Sequence, residues 1–187
     1  MLEFKIAELS DIEATLELHA KYQVDTIDPK DKKDGFVTTP FGKEELKNLI
    51  EQESGLFIAK DGDKVVAYVM SASWEFWSKW PMFAFMINEL LPKQHYCGDA
   101  LSSENSYQYG PIAIEKSYRG GELLEKIFSY ALGHMAKRYN YLITFVNKIN
   151  PRSFAAHHRK LGLDIIEEFE YNGNSYWELG CRTCHKE

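Results

Sequence analysis

Tyr109-Gly110-Pro111-Ile112-Ala113-Ile114-Glu115-Lys116-Ser117-Tyr118-Arg119-Gly120-Gly121-Glu122-Leu123-Leu124 is the stretch that decides how this chain is read. Its apolar start, Tyr109 to Ile114, predicts a strand, and a polar turn follows from Glu115 to Gly121. Leu124, Ile127, Phe128, Ala131 and Met135 then recur at helical spacing and predict a long amphipathic helix. A turn leading from strand into helix offers backbone N–H groups and the positive end of the helix dipole, which together bind phosphate. Arg119 adds a fork of donors, and Gly120 and Gly121 let a ligand approach the main chain. Gly-Gly before a helix is also an ordinary turn, so the flanking sequence must decide.

Outward from this stretch the pattern is consistent. Tyr141 to Val146 predicts another strand, and Asn150-Pro151 opens a helix that Gly162 closes. Strand, helix, strand, helix implies a right-handed crossover and locally parallel pairing. Leu56 to Ala59 and Val65 to Met70 flank Asp61-Gly62-Asp63 and predict a hairpin. Residues 163 to 171 and 175 to 179 flank Asn172-Gly173-Asn174 and predict a second. Residues 2 to 7 alternate as a strand, and Ser10 with Glu13 forms a capping box before Ile12, Leu16 and Ala20. A polar loop from Val24 to Thr38 precedes a short helix after Thr39-Pro40, with Leu46, Leu49 and Ile50 on one face. The expected fold is α/β, with a mixed, mostly antiparallel central sheet and helices on both faces.

The segment from about 71 to 108 stands outside this plan. It carries Trp74, Phe76, Trp77, Trp80, Phe83 and Phe85, and a helix from about Trp77 to Leu91 is expected, with Pro81 in its first turn or kinking it. It reads as added core, as a wall of a substrate pocket, or as a homodimer surface. Length and composition set the remaining bounds. The 187 residues, 44% hydrophobic and 27% charged, suit one domain over residues 1–180 with a tail at 181–187. A net charge of -6 without a basic run argues against nucleic acid or an anionic membrane as partner. No apolar stretch reaches spanning length and no signal-peptide core opens the chain, so a cytoplasmic location is expected.

Three cysteines do not make a disulfide framework. Cys181-Arg182-Thr183-Cys184-His185 matches a covalent haem-attachment pattern, could lend three ligands to a shared zinc, or could be a reactive thiol pair. It is read chiefly as an ordinary chain end, and no metal is expected.

The early strand and helix, the central hairpin, the Tyr118-Arg119-Gly120 strand-turn-helix and the late Asn150-Pro151-Arg152-Ser153 helix occur in the order seen in the GNAT superfamily. Over nearly its whole length the chain resembles these acyl-CoA N-acyltransferases. The resemblance implies acetyl transfer from acetyl-CoA, as co-substrate, to a primary amine of a small molecule or protein. It implies that Ile112, Ala113 and Ile114 meet the pantetheine arm and acyl carbonyl through their backbone. Arg119, Gly120, Gly121, Glu122, Leu123 and Leu124 would cradle the phosphates, Asn150 would reach the pantetheine arm, and Ser153 counts with them among the cofactor-binding residues. The family's motif glycines fall here on Glu122 and Leu123-Leu124, with glycine instead at 120 and 121. A non-catalytic acyl-CoA-binding or sensing domain is the alternative.

Where the family commonly has a tyrosine seven residues after that asparagine, as proton donor to the departing thiolate, this chain has His157. Asn150, Ser153 and His157 share one helix face by their three- and four-residue spacing, whereas Phe154, His158 and Leu161 share another. His157 is therefore the expected proton donor, with His158 packed or exposed. For the base that takes a proton from the amine, Glu115, Tyr109 and Glu104 are the candidates.

Overall fold

A computed structural model describes residues 1–184 of the chain. Local turn chemistry builds most of it. Gly62 takes φ 60° between β2 (Leu56–Asp61) and β3 (Lys64–Ala72). Asn172 and Gly173 take φ 50° and 77° between β8 (Asp164–Tyr171) and β9 (Asn174–Arg182). Two consecutive left-handed residues match the right-handed twist of a hairpin, which is why Asn-Gly sits there. The other strands are β1 (Leu2–Ile6), β4 (His95–Tyr96), β5 (Asp99–Ala100), β6 (Ser106–Ile114) and β7 (Tyr141–Asn147). The helices are α1 (Ile12–Tyr22), α2 (Lys43–Asn48), α3 (Trp74–Trp77), α4 (Pro81–Phe85), α5 (Leu123–Met135) and α6 (Pro151–Phe154).

The seven-stranded sheet runs β1-β2-β3-β6-β7-β9-β8, with β4 and β5 as a separate small hairpin. The pairs β1–β2, β2–β3, β7–β9 and β8–β9 are antiparallel, while β6–β7 is parallel, as the crossover through α5 requires. The mixed, mostly antiparallel sheet expected from sequence is what forms. The β6–β7 ladder holds only Ser106, Tyr107 and Gln108 against Tyr141, Leu142 and Ile143, and ends there.

By Cα packing the chain divides into two compact units. The first comprises Met1–Ser71 with Gly110–Ala131. Its strands have two apolar faces: His19 of α1 meets Tyr68 on one, while Tyr130 of α5 meets Phe4 and Phe57 on the other. Leu56 through Ala59 are accordingly buried without interruption. The second unit comprises Ala72–Tyr109 with the chain from Leu132 onward. Phe83 of α4 packs on Phe145, and Phe154 of α6 packs on Trp177 from the opposite face.

Three expectations are corrected. The cap before α1 is two residues earlier than Ser10 and Glu13: the Glu8 N–H donates to the Asp11 carboxylate (2.9 Å), and a 3-10 turn over Leu9–Asp11 leads in. The helix expected from Trp77 to Leu91 begins at Pro81 instead, as α4 continued by a π turn over Met86–Leu90, and Trp77 ends α3. Trp80 is extended (φ -92°, ψ 132°), because a residue before proline avoids the helical region, and Pro81 restarts the chain as the first residue of α4. The last strand reaches Arg182, with Cys181 opposite Leu142, so part of the expected tail belongs to the sheet.

Candidate functional site

In the first unit β6 delivers Ile112, Ala113 and Ile114 to the strand end, with Ala113 buried and the two isoleucines half-buried. The chain then makes a 3-10 turn over Lys116–Tyr118 and passes through Arg119 and Gly120 (φ 85°) into α5 at Leu123. Nothing lies within 4 Å of where a Cβ would stand on Gly120 or Gly121. That open ground is what a phosphate against the main chain requires. Leu123 is buried and Leu124 half-buried, so their side chains face inward and only backbone is left to a ligand. The Glu122 carboxylate is matched one turn on by Lys126 (2.8 Å). Arg119 leans inward: its Nε donates to the Ile114 carbonyl (2.8 Å) and its guanidinium lies 4.5 Å from the Tyr22 ring centre.

Glu115 does not have the state of a general base. Its Oε2 takes Lys21 at 2.8 Å and Lys64 at 3.3 Å, and the Tyr22 hydroxyl donates to Oε1 at 2.8 Å. Burial pushes the carboxyl up, but the hydrogen bonds from Lys21, Tyr22 and Lys64 outweigh it and hold it at about 2. Such a group is a strut. Glu115→Gln is expected to lower stability at pH 7 by about 1–3 kcal/mol through the lost charged hydrogen bonds. The folded value lies below the ordinary 4.5, so this contribution is full above 4.5 and fades as pH falls toward 2. Melting temperatures of both proteins across that range test it. A gap between them that stays constant with pH would contradict the assignment.

In the second unit α6 opens on Asn150, whose Oδ1 accepts from the Ser153 N–H (3.1 Å), and Pro151 supplies the first helical residue. From Ala155 to Lys160 the helix widens to a π turn. That turn takes up one residue more than an α-helical course. His157 stays on the face of Ser153: its Nδ1 is 2.8 Å from the Ser153 carbonyl and 3.3 Å from the Ser153 hydroxyl. The ring is buried and stands edge-on to Tyr109 at 5.6 Å. A carbonyl can only accept, so Nδ1 carries the proton and Nε2 the lone pair in the neutral ring. Burial keeps it neutral, outweighing the Ser153 bond and lowering the pKa from 6.5. His158 tilts onto Phe154 (5.1 Å), with Nδ1 2.7 Å from the Leu163 carbonyl.

Tyr109 is also buried, and burial pushes its phenol well up, which keeps it protonated at neutral pH. Its carbonyl accepts from the Thr144 hydroxyl (2.7 Å). Glu104 is exposed in the turn before β6. Cys181 lies in β9 with its thiol pushed up to about 12, chiefly by burial, which makes it unreactive; Cys184 is exposed, and His185 lies outside the described residues. Among the described residues no group of three or more His, Cys, Asp or Glu is placed to hold a metal ion, and no helix is long and apolar enough to cross a membrane.

Spacing could not disclose the partners of Glu115, because Lys21 and Tyr22 stand 94 and 93 positions away.

No family model and no curated protein matches the sequence. Solved structures do match the fold. A protein from Salmonella typhimurium named as an acetyltransferase, solved with its cofactor acetyl-CoA, superposes with TM-score 0.64 at 10% identity over 99% of this chain and 95% of its own. An N-acetyltransferase from Staphylococcus aureus gives 0.62 at 13% identity over 98% and 99%. An acetyltransferase of the GNAT family from Streptococcus pneumoniae gives 0.63 at 13% identity over 97% and 99%. The fold is therefore that of the GNAT acetyltransferases.

Proposed function

We propose that this chain is an N-acetyltransferase that moves the acetyl group of acetyl-CoA to a primary amine of a small molecule or protein. The observation that carries the reading is the strand-turn-helix from β6 into α5, with open space over Gly120 and Gly121, set in a GNAT-like sheet. Neighbours in fold solved with acetyl-CoA, or as a NatC complex with Gag peptide and CoA, support the choice of co-substrate. Gly120, Gly121, Glu122, Leu123 and Leu124 would hold the pyrophosphate through backbone N–H groups, with Arg119 lending charge. Ile112, Ala113 and Ile114 would hold the pantetheine arm and polarise the thioester carbonyl. Asn150 has its amide nitrogen without a partner among the described residues and would reach the same arm, steadied by Ser153.

His157 then has a fuller role than proton donor alone. A neutral ring with its lone pair at Nε2 takes the proton from the attacking amine and returns it to the CoA sulfur as the C–S bond breaks. This replaces Glu115 and Tyr109, whose states unfit them as bases.

A non-catalytic acyl-CoA-binding domain is the second reading, favoured by the inward set of Arg119 and the carboxylate at Glu122. Release of free CoA thiol over a panel of amines separates the two: binding of acetyl-CoA with no turnover on any amine supports the second. Arg119→Ala tests the phosphate cradle. It is expected to weaken acetyl-CoA binding by about 1–3 kcal/mol, the usual scale for a charge-assisted contact. An unchanged dissociation constant in the folded variant removes that assignment.

A further inference from the structure

The core stripe of α1 carries one residue that packing alone does not explain. Its buried positions are Ile12, Thr15, Leu18, His19 and Tyr22, and His19 is only 4% exposed. Apolar side chains fill such a stripe at least cost, and a buried polar group needs partners for its hydrogen-bonding atoms. His19 has a partner for one of its two. Nδ1 lies 2.7 Å from the Tyr68 hydroxyl, while Nε2 is buried without a hydrogen-bond partner among the described residues. Phe41 stands edge-on to the ring at 5.7 Å and Tyr68 is tilted to it at 6.0 Å, so aromatic walls hold the imidazole in place.

Proton accounting decides which nitrogen donates. Tyr68 is fully buried, and burial pushes its phenol well up, so it keeps its proton. Burial lowers the imidazole to about 4, so at pH 7 the ring is neutral and carries a single N–H. With that proton on Nδ1, the Tyr68 O–H and the Nε2 lone pair would both be buried and unpaired. With the phenol donating to Nδ1, the Nε2–H alone is left over, which costs less. Nε2 is therefore a neutral N–H donor in a fixed position.

Its place in the first unit gives that donor a use. The Glu115 N–H donates to the Val66 carbonyl at 2.8 Å, which ties the end of β6 to the beginning of its neighbour β3. Val66 lies near the start of β3 and Glu115 just past the last residue of β6, so the two strands run antiparallel. The Tyr68 stretch of β3 thus lies alongside the Ala113 stretch of β6. One helical turn after His19, the Tyr22 hydroxyl donates to Glu115 and accepts from the Lys116 N–H, both at 2.8 Å, which sets α1 across the end of β6.

We infer that His19 is a second donor to the thioester oxygen: its Nε2–H, aimed by Tyr68, hydrogen-bonds the acetyl-CoA carbonyl and the oxyanion formed when the amine attacks. This rests on the acetyl-transfer reading above. As the amine nitrogen bonds to the carbonyl carbon, the C=O π pair moves onto oxygen; it returns as the C–S bond breaks, and His19 keeps its proton throughout. A neutral imidazole suits the task, because it stabilises the developing charge without giving the proton away.

Carbon-13 NMR of acetyl-CoA labelled at the acetyl carbonyl, bound to the wild type, His19→Phe and His19→Gln, tests this without an acceptor amine. Hydrogen bonding moves a thioester carbonyl resonance downfield, so the wild-type complex should lie downfield of free acetyl-CoA. His19→Phe keeps a ring between Phe41 and Tyr68 but has no N–H. Its signal should move back toward the free position, with the dissociation constant little changed. His19→Gln returns an N–H at similar reach and should recover part of the shift. Nitrogen-15 spectra of the wild type, with His19 identified by its loss in His19→Gln, should show the proton on Nε2 and a shift of that proton when acetyl-CoA binds. The same bound carbonyl signal in wild type and His19→Phe, or a proton on Nδ1 in the wild type, overturns the inference and leaves the proposed function standing. Failure of acetyl-CoA to bind the wild type overturns both.

Discussion

His157→Ala is expected to turn over ~10²-fold or more slowly than the wild type at saturating acetyl-CoA, with acetyl-CoA affinity little changed. The imidazole acts on the amine proton and the sulfur, not on the phosphates, so the loss falls on turnover and spares binding. The Ser153 carbonyl fixes the tautomer that leaves Nε2 able to accept, and burial keeps that tautomer neutral. Activity should accordingly persist through the ordinary imidazole value of 6.5 and fall only at lower pH, where protonation of the ring fills the lone pair. His158→Ala should act through stability, because its ring packs on Phe154 and its Nδ1 meets the Leu163 carbonyl. Turnover and melting temperature of both variants decide the matter. Wild-type activity in His157→Ala would end the assignment, and a rate loss confined to His158→Ala would move the reacting face one position along the π turn.

What the sequence disclosed and what it hid divide along the range of the forces involved. Asn172-Gly173 and Gly62 set their hairpins locally, so both were legible from a few residues. The two faces of the late helix were legible as well, since three- and four-residue spacing keeps Ser153 and His157 together even across the π turn. The cap of α1 lies two residues before the expected one because Ser10 and Glu13 share the three-residue spacing of Glu8 and Asp11, and burial of Asp11 between Lys5 and Lys60 selects the latter. Protonation states were hidden altogether. Glu115 held low and Glu178 held high are the same kind of side chain in strand-like text: deep burial and the facing Glu167 raise Glu178, while the distant Lys21, Tyr22 and Lys64 hold Glu115 low. A carboxylate's chemistry is set by its neighbours in space.

Gly55→Ala is expected to cost about 3 kcal/mol or more, a fall in melting temperature of about 6–12 °C for a chain of this size. Beside Ser54 this glycine reads as a turn residue, yet the left-handed residue is Ser54 (φ 49°). What Gly55 supplies is the absence of a side chain. A Cβ there would stand 1.9 Å from the Ser71 carbonyl oxygen, 3.1 Å from its carbon and 3.0 Å from Leu49 Cδ1. The Ser71 N–H donates to the Gly55 carbonyl at 2.8 Å, so relieving the clash means breaking the bond that joins the start of β2 to the end of β3. Backbone cannot yield as a flexible side chain does. Gly121→Ala is the informative control, since no atom lies within 4 Å of its Cβ position. It should melt near the wild type while losing acetyl-CoA affinity, because the methyl group would occupy the space reserved for phosphate. If Gly55→Ala melts with the wild type, the close approach of Ser71 is wrong; if Gly121→Ala binds acetyl-CoA normally, the phosphates lie elsewhere.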